Sequence, residues 1–197
     1  MKNIKISATL GIISLACALL IALINLVSSP IITKNDEKTE LNTCKEIFEE
    51  YNQDKSSSKS GKDLDGKDSR IIKIIYANDS DGNSLGTIYK VSGKNAYGTI
   101  TLMVGITADN KVCQVEFIEN GQSFASTVNE HVGNSYPSSP STDVHIGAYT
   151  ASNNGNVGEL SSDAVSSIDV KCGATYGATL VKELVTVALD DAVKGAE

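Results

Sequence analysis

The sequence lacks the closely spaced cysteines that hold most structural metal ions. Its four cysteines are far apart and form no C-x-x-C pair, a spacing that argues against a zinc site. Only two histidines occur, and no cysteine or carboxylate cluster frames them. One cysteine, Cys17, falls in an apolar stretch. The other three allow at most one disulfide, and its pairing stays open: Cys44, Cys113 and Cys172.

An excess of basic residues is also missing. The chain of 197 residues has 17 Lys and Arg against 24 Asp and Glu, a net charge of −7. Nucleic-acid partners require a basic face, so this balance argues against them. No G-x-S-x-G hydrolase motif is present, and the glycines of "GNVGEL" do not follow a strand of a βαβ unit. These absences leave no evident set of acid–base catalytic residues.

What the chain does have is a long uncharged segment near its N-terminus. Residues 6–28 read "ISATLGIISLACALLIALINLVS", and about 20 apolar residues suffice to span a bilayer as a helix. Lys2 and Lys5 precede the segment, which by the positive-inside rule predicts a cytoplasmic N-terminus and an extracytoplasmic remainder. We therefore expect residues 1–30 to form a single-pass anchor in the cell membrane, in contact with lipid and closed by Pro30.

A cleaved signal peptide is the alternative interpretation of this segment. Its apolar part would be unusually long, since signal sequences have apolar regions of about 7–15 residues. No A-x-A cleavage site follows it. The membrane helix is the interpretation that the length favours.

The next 39 positions, residues 31–69, are polar with one amphipathic stretch. Leu41, Cys44, Phe48 and Tyr51 recur at helical spacing, which predicts a short helix over about 36–51. The segment "NQDKSSSKSGKDLDGKDS" follows and is typical of a surface loop or a poorly ordered linker.

Residues 70–197 are predicted to form one α+β domain outside the membrane. Between 70 and 119, four β-branched runs alternate with turn sequences, as in an antiparallel meander. Residues 120–167 show little periodicity beyond a short helix around 124–132. From Thr175 onward, an apolar stripe recurs at helical spacing and predicts a closing helix. The expected architecture is thus a transmembrane helix followed by an antiparallel sheet with flanking helices.

The stretch "DVKCGATYGATL" lies where this closing helix begins. A helix N-terminus presents unpaired N–H groups and a partial positive charge, which suit a phosphate. Gly173 and Ala174 allow another group to approach the backbone, Thr175 adds a hydroxyl, and Asp169 could orient the loop or bind a metal during a modification reaction. The same residue types also start most helices, so a plain helix cap fits the spacing as well.

The run from Asp169 to Thr175 resembles the flavinylation motif of the FMN-binding domain family. The family pattern reads Asp, two free positions, Ser or Thr, Gly, Ala, then Thr or Ser. Asp169, Gly173 and Ala174 match, while Cys172 stands where the family has Ser or Thr. The resemblance implies that Thr175 carries FMN through a phosphoester bond.

A second stretch, "NAYGTITLMVGITADNKVCQVEFIENGQS", is similar to the central hairpin of that family. Tyr97 and Gly98 keep half of its Gly-Tyr-Gly-Gly segment, and 104–106 keep its Val-Gly-Ile strand end. The segment "ENGQSFAST" replaces the Glu-Thr-Pro-Gly-Leu-Gly loop that Rnf-type members place beside the flavin. The order of parts also matches, so the resemblance covers roughly residues 5–195.

The family includes FMN-carrying subunits of two membrane complexes, the Rnf electron transport complex and the sodium-pumping NADH:quinone oxidoreductase. The resemblance, nearer to the Rnf type, implies an electron-transfer subunit that is not a complete enzyme by itself, working in a complex that couples ferredoxin and NAD to ion transport. Its implied partners are the other membrane subunits and a flavin transferase that uses FAD and a divalent metal. The flavin ring needs a small apolar or aromatic shelf, and we expect Tyr97, Tyr176 and Leu180 to form it.

Two alternatives remain open at the level of sequence. A free-standing extracytoplasmic FMN shuttle would use the same motif without a complex. A membrane-anchored binding module with no redox role would contain no flavin, and the start of the closing helix would then be a cap.

Overall fold

The computed structural model describes residues 2–132, 149, 160–171 and 173–195, with side chains from residue 10 onward. It divides into two compact units, Met1–Glu40 and Leu41–Glu197. Cys172, one of the predicted site residues, lies outside the described residues.

Helix α1, Lys2–Ile47, contains the uncharged segment. It is the one helix among the described residues that is long and apolar enough to cross a membrane. Its large apolar side chains are exposed from Leu10 to Ile32. The prediction that Pro30 closes the helix is wrong. Proline removes a single N–H group from the helical ladder, and the helix continues on both sides of it.

The second unit is built on a five-stranded antiparallel sheet. The strands follow one another in chain order, so the sheet is a simple meander. Its members are β1 Ser57–Ser60, β2 Ile71–Asn78, β3 Ser84–Asn95, β4 Gly98–Ile106 and β5 Val112–Asn120. A single 3-10 turn, Gly61–Leu64, lies between β1 and β2. The four predicted strands are therefore present, and the α+β class is confirmed.

Strand β1 corrects the prediction of a loop or linker over residues 52–69. Its four side chains are all exposed, and Ser57 to Ser60 pair with Tyr76 to Lys73 of β2 through the backbone. An edge strand held in this way needs no apolar side chains, so its sequence carries no alternating pattern.

The sheet packs against helix α4, Thr175–Gly195, on one face and against the end of α1 on the other, and β4 is an interior strand paired with β3 and β5. Ile100, Leu102 and Val104 of β4 point to a core completed by α4. Met103, on the opposite face, packs in a smaller cluster with Cys44, at the end of α1. Alternate residues of a strand face opposite sides, and this explains why the whole of β4 reads as apolar.

Two short helices complete the described structure. Helix α2, Ala125–Val132, follows β5 closely, near the position predicted for it. Helix α3, Ser162–Ser167, is capped by the Ser161 hydroxyl, which accepts a hydrogen bond from Ala164 N. Lys182 of α4 donates to the carbonyls of Ser166 and Ile168 at 2.6 and 2.9 Å. These bonds fix the chain leading to the start of α4.

Candidate functional site

Three segments of the second unit enclose a cavity of about 250 Å³. The β3–β4 turn contributes Tyr97, the segment after β5 contributes Gln122, Phe124 and Val128, and the start of α4 contributes residues 173–177. The volume is close to the lower end of small-molecule sites, about 300 Å³. The cavity therefore opens directly on the stretch that resembles the flavinylation motif.

Thr175 is the first residue of α4, and it is exposed. Its hydroxyl is hydrogen-bonded to no other described residue. The residue before it, Ala174, has no side-chain oxygen, and its carbonyl accepts from Gly177 N at 3.0 Å and Ala178 N at 3.1 Å. The N–H groups of Thr175 and Tyr176 precede any helical acceptor. The helix start thus presents free donors and a partial positive charge next to a free hydroxyl.

Two glycines shape the wall around this hydroxyl, for different reasons. Gly173 has a φ of +79°, a conformation that L residues rarely adopt, although a Cβ there would meet only Thr127 Cγ2 at 3.8 Å. A Cβ on Gly177 would lie 2.5 Å from Val128 Cγ2. Gly173 therefore permits the turn into α4, and Gly177 permits the close packing of α4 on α2.

Aromatic rings form the rim of the cavity. The rings of Tyr97 and Tyr176 have their centroids 5.2 Å apart, with their planes inclined by 33°. The exposed fractions are 46% for Tyr97, 68% for Tyr176 and 63% for Phe124. Such exposure is high for side chains that normally bury large areas. The three rings offer exposed aromatic surface at the rim of the cavity.

A network of two side-chain amides fixes the rim. Gln122 Nε2 donates to Asn95 Oδ1 at 3.1 Å and to the Gly98 carbonyl at 2.8 Å. Asn95 Nδ2 donates to the Tyr176 carbonyl at 3.1 Å, and its Oδ1 accepts from Tyr97 N at 2.8 Å. The network joins all three segments and holds the backbones of both tyrosines.

Gly98 supports the site without lining it. Its φ is +144°, and a Cβ on it would collide with the carbonyl of Gly121. Gly121 N also donates to the Thr99 carbonyl at 2.8 Å. The β3–β4 turn and the segment after β5 touch through their backbones here, so a glycine is required.

The structure brings together five of the predicted site residues, all of which line the cavity: Tyr97, Gly173, Ala174, Thr175 and Tyr176. Leu180 does not join them. It is 7% exposed and packs in the core, with Cδ1 close to Gly93 of β3. Leu180 lies one helical turn beyond Tyr176, and this position faces the sheet. The prediction that it forms part of the ring shelf is therefore corrected.

Asp169 is exposed, and it is not among the residues around the cavity. Its carboxylate accepts a hydrogen bond from Lys171 N at 3.0 Å and so shapes the approach to α4. No group of three or more metal-binding side chains occurs within the described residues.

Sequence reasoning missed several residues that line or brace the cavity: Asn95, Gln122, Phe124, Val128 and Gly177. A signal for two of them was present. Gln122 and Phe124 belong to "ENGQSFAST", the segment that the resemblance to the FMN-binding domain family sets against a loop beside the flavin in that family. The position of the loop was informative although its residues differ.

No protein-family model matches the chain, and no curated protein sequence matches it.

Proposed function

We propose that the protein is a membrane-anchored electron carrier with FMN bound covalently to Thr175, working as a subunit of an Rnf-type ion-translocating complex. One observation carries the proposal. The free hydroxyl of Thr175 lies at the uncapped start of α4 and opens on a cavity rimmed by three aromatic rings. The capping position is held by Ala174, which has no side-chain oxygen, so Thr175 is not the residue that caps α4.

The residues present suit both parts of an FMN group. Thr175 would bond to the phosphate, and the N–H groups of Thr175 and Tyr176 would donate to its oxygens. Tyr97, Tyr176 and Phe124 would pack against the ring. FMN would supply the redox chemistry.

FMN would be attached by transfer of the FMN half of FAD to Thr175. Thr175 Oγ1 forms a bond to the phosphorus of the FMN half, the bond to AMP breaks, AMP leaves, and the hydroxyl proton is released. This step involves no oxidation or reduction. The family carries it out with a separate flavin transferase, so this enzyme is a necessary partner of the proposal.

Helix α1 supports the proposed location. The helix is long enough to anchor the chain, and Lys2 and Lys5 favour a cytoplasmic N-terminus with the cavity outside the cytoplasm. The other membrane subunits of the complex would supply and remove electrons at the aromatic rim.

A free-standing electron shuttle is the second candidate, because "ENGQSFAST" departs from the Rnf-type loop. Purification from the native membrane in mild detergent separates the two. Co-purifying redox subunits would support the complex, and a flavoprotein that purifies alone would support the shuttle.

The attachment itself is tested by expressing the full chain with a flavin transferase and examining denaturing gels for flavin fluorescence. We expect a fluorescent band for the wild type and none for Thr175→Ala. Thr179→Ala is the matched control, since it removes the same side chain one turn later in α4 and should leave the band intact. A fluorescent Thr175→Ala band, or a dark wild type, would contradict the proposal.

A further inference from the structure

Gln122 has a buried side chain with one hydrogen-bonding atom to spare. The residue is 7% exposed. Both protons of its Nε2 are used, one by Asn95 Oδ1 and one by the Gly98 carbonyl. The orientation of the amide follows from these partners, because a backbone carbonyl can only accept. Asn95 is oriented in the same way by the backbones of Tyr97 and Tyr176.

The remaining atom, Gln122 Oε1, is therefore a fixed acceptor. It is hydrogen-bonded to no other described residue, and it is not among the fully buried atoms. It lies 3.4 Å from the point where a Cβ of Gly177 would be, and Gly177 and Gln122 both line the cavity. Because the atom is not fully buried, a ligand donor in the cavity could reach it and form the hydrogen bond that no described residue supplies.

The chemistry of Gln122 Oε1 determines which part of a ligand can bind next to it. A carbonyl oxygen repels phosphate oxygens, so this end of the cavity does not suit the charged end of a ligand. The neighbouring rings of Tyr97, Tyr176 and Phe124 suit a planar group. A planar group with an N–H in its edge would satisfy both features.

We propose that Gln122 Oε1 accepts a hydrogen bond from the imide N–H of the flavin ring, an inference that rests on the proposed function. Asn95 and the Gly98 carbonyl hold the amide in place, and the tyrosines would pack against the ring. The position of the acceptor makes Gln122 a determinant of ring orientation.

The bond can be observed directly by NMR. The full-length chain, in detergent micelles, is flavinylated with FMN labelled with ¹⁵N in the ring, and intact mass establishes attachment first. We expect exchange of the imide proton with water about tenfold slower than in free FMN, the effect of one good hydrogen bond. Gln122→Met has a similar volume but loses the acceptor, together with the amide donors to Asn95 and the Gly98 carbonyl. In its flavinylated fraction, identified by mass, the exchange rate should return to that of free FMN and the imide proton should shift upfield.

Two further variants keep the result interpretable. Gln122→Glu retains an oxygen acceptor and should move the imide proton downfield from its position in Gln122→Met. Gln114→Met makes the same substitution on β5, where Gln114 donates to Glu116, and should reproduce the wild-type spectrum.

The outcomes separate the inference from the function on which it depends. If the wild type gains no FMN, the proposed function fails, and the inference fails with it. If the wild type is flavinylated but its imide proton exchanges as fast as in free FMN, the inference alone is overturned. It is overturned equally if Gln122→Met keeps slow exchange. The wild-type exchange rate decides the matter even if a variant does not fold.

Discussion

Single residues set how closely the three segments meet around the cavity. At Gly98 two backbones are so close that a Cβ would collide with the Gly121 carbonyl. At Gly177 two helices are so close that a Cβ would lie 2.5 Å from Val128 Cγ2. Asn95 and Gln122 then fix the arrangement with four hydrogen bonds. The shape of the cavity therefore depends also on residues that do not line it, such as Gly98.

Gly98→Ala tests this sensitivity. The added Cβ would meet the Gly121 carbonyl and force a φ of +144° on an L residue. We expect a loss of about 2–4 kcal/mol in the free energy of unfolding, the range of a strained and overpacked position. Urea denaturation measures it. Gly66→Ala is the control, because Gly66 has a φ of +82° but nothing within 4 Å of its Cβ position. Equal losses in the two variants would argue against the close contact at Gly98.

Asp68 provides a pH-dependent contribution to stability. Hydrogen bonds from the Arg70 side chain, then from its backbone N–H, lower the pKa of Asp68 from 3.8 to about 2. Arg70 Nη2 lies 2.8 Å from Asp68 Oδ2, and both side chains are more than a third exposed. Because the folded-state pKa is depressed, the pair stabilises the protein above about pH 4 and loses that effect as the pH falls towards 2. Its exposure limits the contribution to less than about 1 kcal/mol.

Comparing the urea midpoints of wild type and Asp68→Asn checks this contribution. The variant should be less stable at pH 7, and the difference should shrink at pH 3. Asp54→Asn, at an exposed position, serves as the control. If the difference in stability between wild type and Asp68→Asn grew as the pH fell, the pKa of Asp68 would not be lowered in the folded state.

At this scale, the sequence predicted much of the site. Thr175 and the two tyrosines could be found because a motif and its neighbours preserve them. Gln122 and Asn95 could not be found, since their roles depend on hydrogen bonds across 27 positions of the chain. Leu180 was misplaced because it lies one turn further along α4 than Tyr176, where the helix packs on β3 and the side chain is buried.

Among the elements, those with a strong apolar period were predictable and those without it were not. Strands β2 to β5 and helix α4 bury one face or both. Strand β1 depends on backbone pairing alone. Helix α1 shows the opposite limitation. A proline often marks the end of a helix, but α1 continues through Pro30. Local signals were overruled by the longer context in both places.

Helix α4 supports the site through its packing on the sheet. Leu184 is fully buried and approaches Gly93 of β3. We expect Leu184→Ala to reduce the free energy of unfolding by about 2–5 kcal/mol through lost contacts and a residual cavity. Val193→Ala, at a position 42% exposed on the same helix, should change it by less than about 0.5 kcal/mol. Thermal or urea denaturation of both variants makes the comparison, and similar losses would contradict the orientation of α4.

For the whole molecule, the central question is where the cavity lies with respect to the membrane. A phosphatase that is active only outside the cytoplasm should be active when it is fused to the C-terminus. A green fluorescent protein fused there should not fluoresce. The same reporters on the N-terminus should behave in the opposite way. A fluorescent C-terminal fusion would place the cavity in the cytoplasm and contradict the proposed location.

The covalent attachment of FMN is tested most directly by the intact mass of the full chain after co-expression with a flavin transferase. We expect the wild type and Thr179→Ala to gain the mass of one FMN less water, and Thr175→Ala to gain nothing. Fragmentation should place the added mass on the peptide that contains Thr175. An unmodified wild type, or FMN on another residue, would contradict the account and favour a membrane-anchored binding module without flavin.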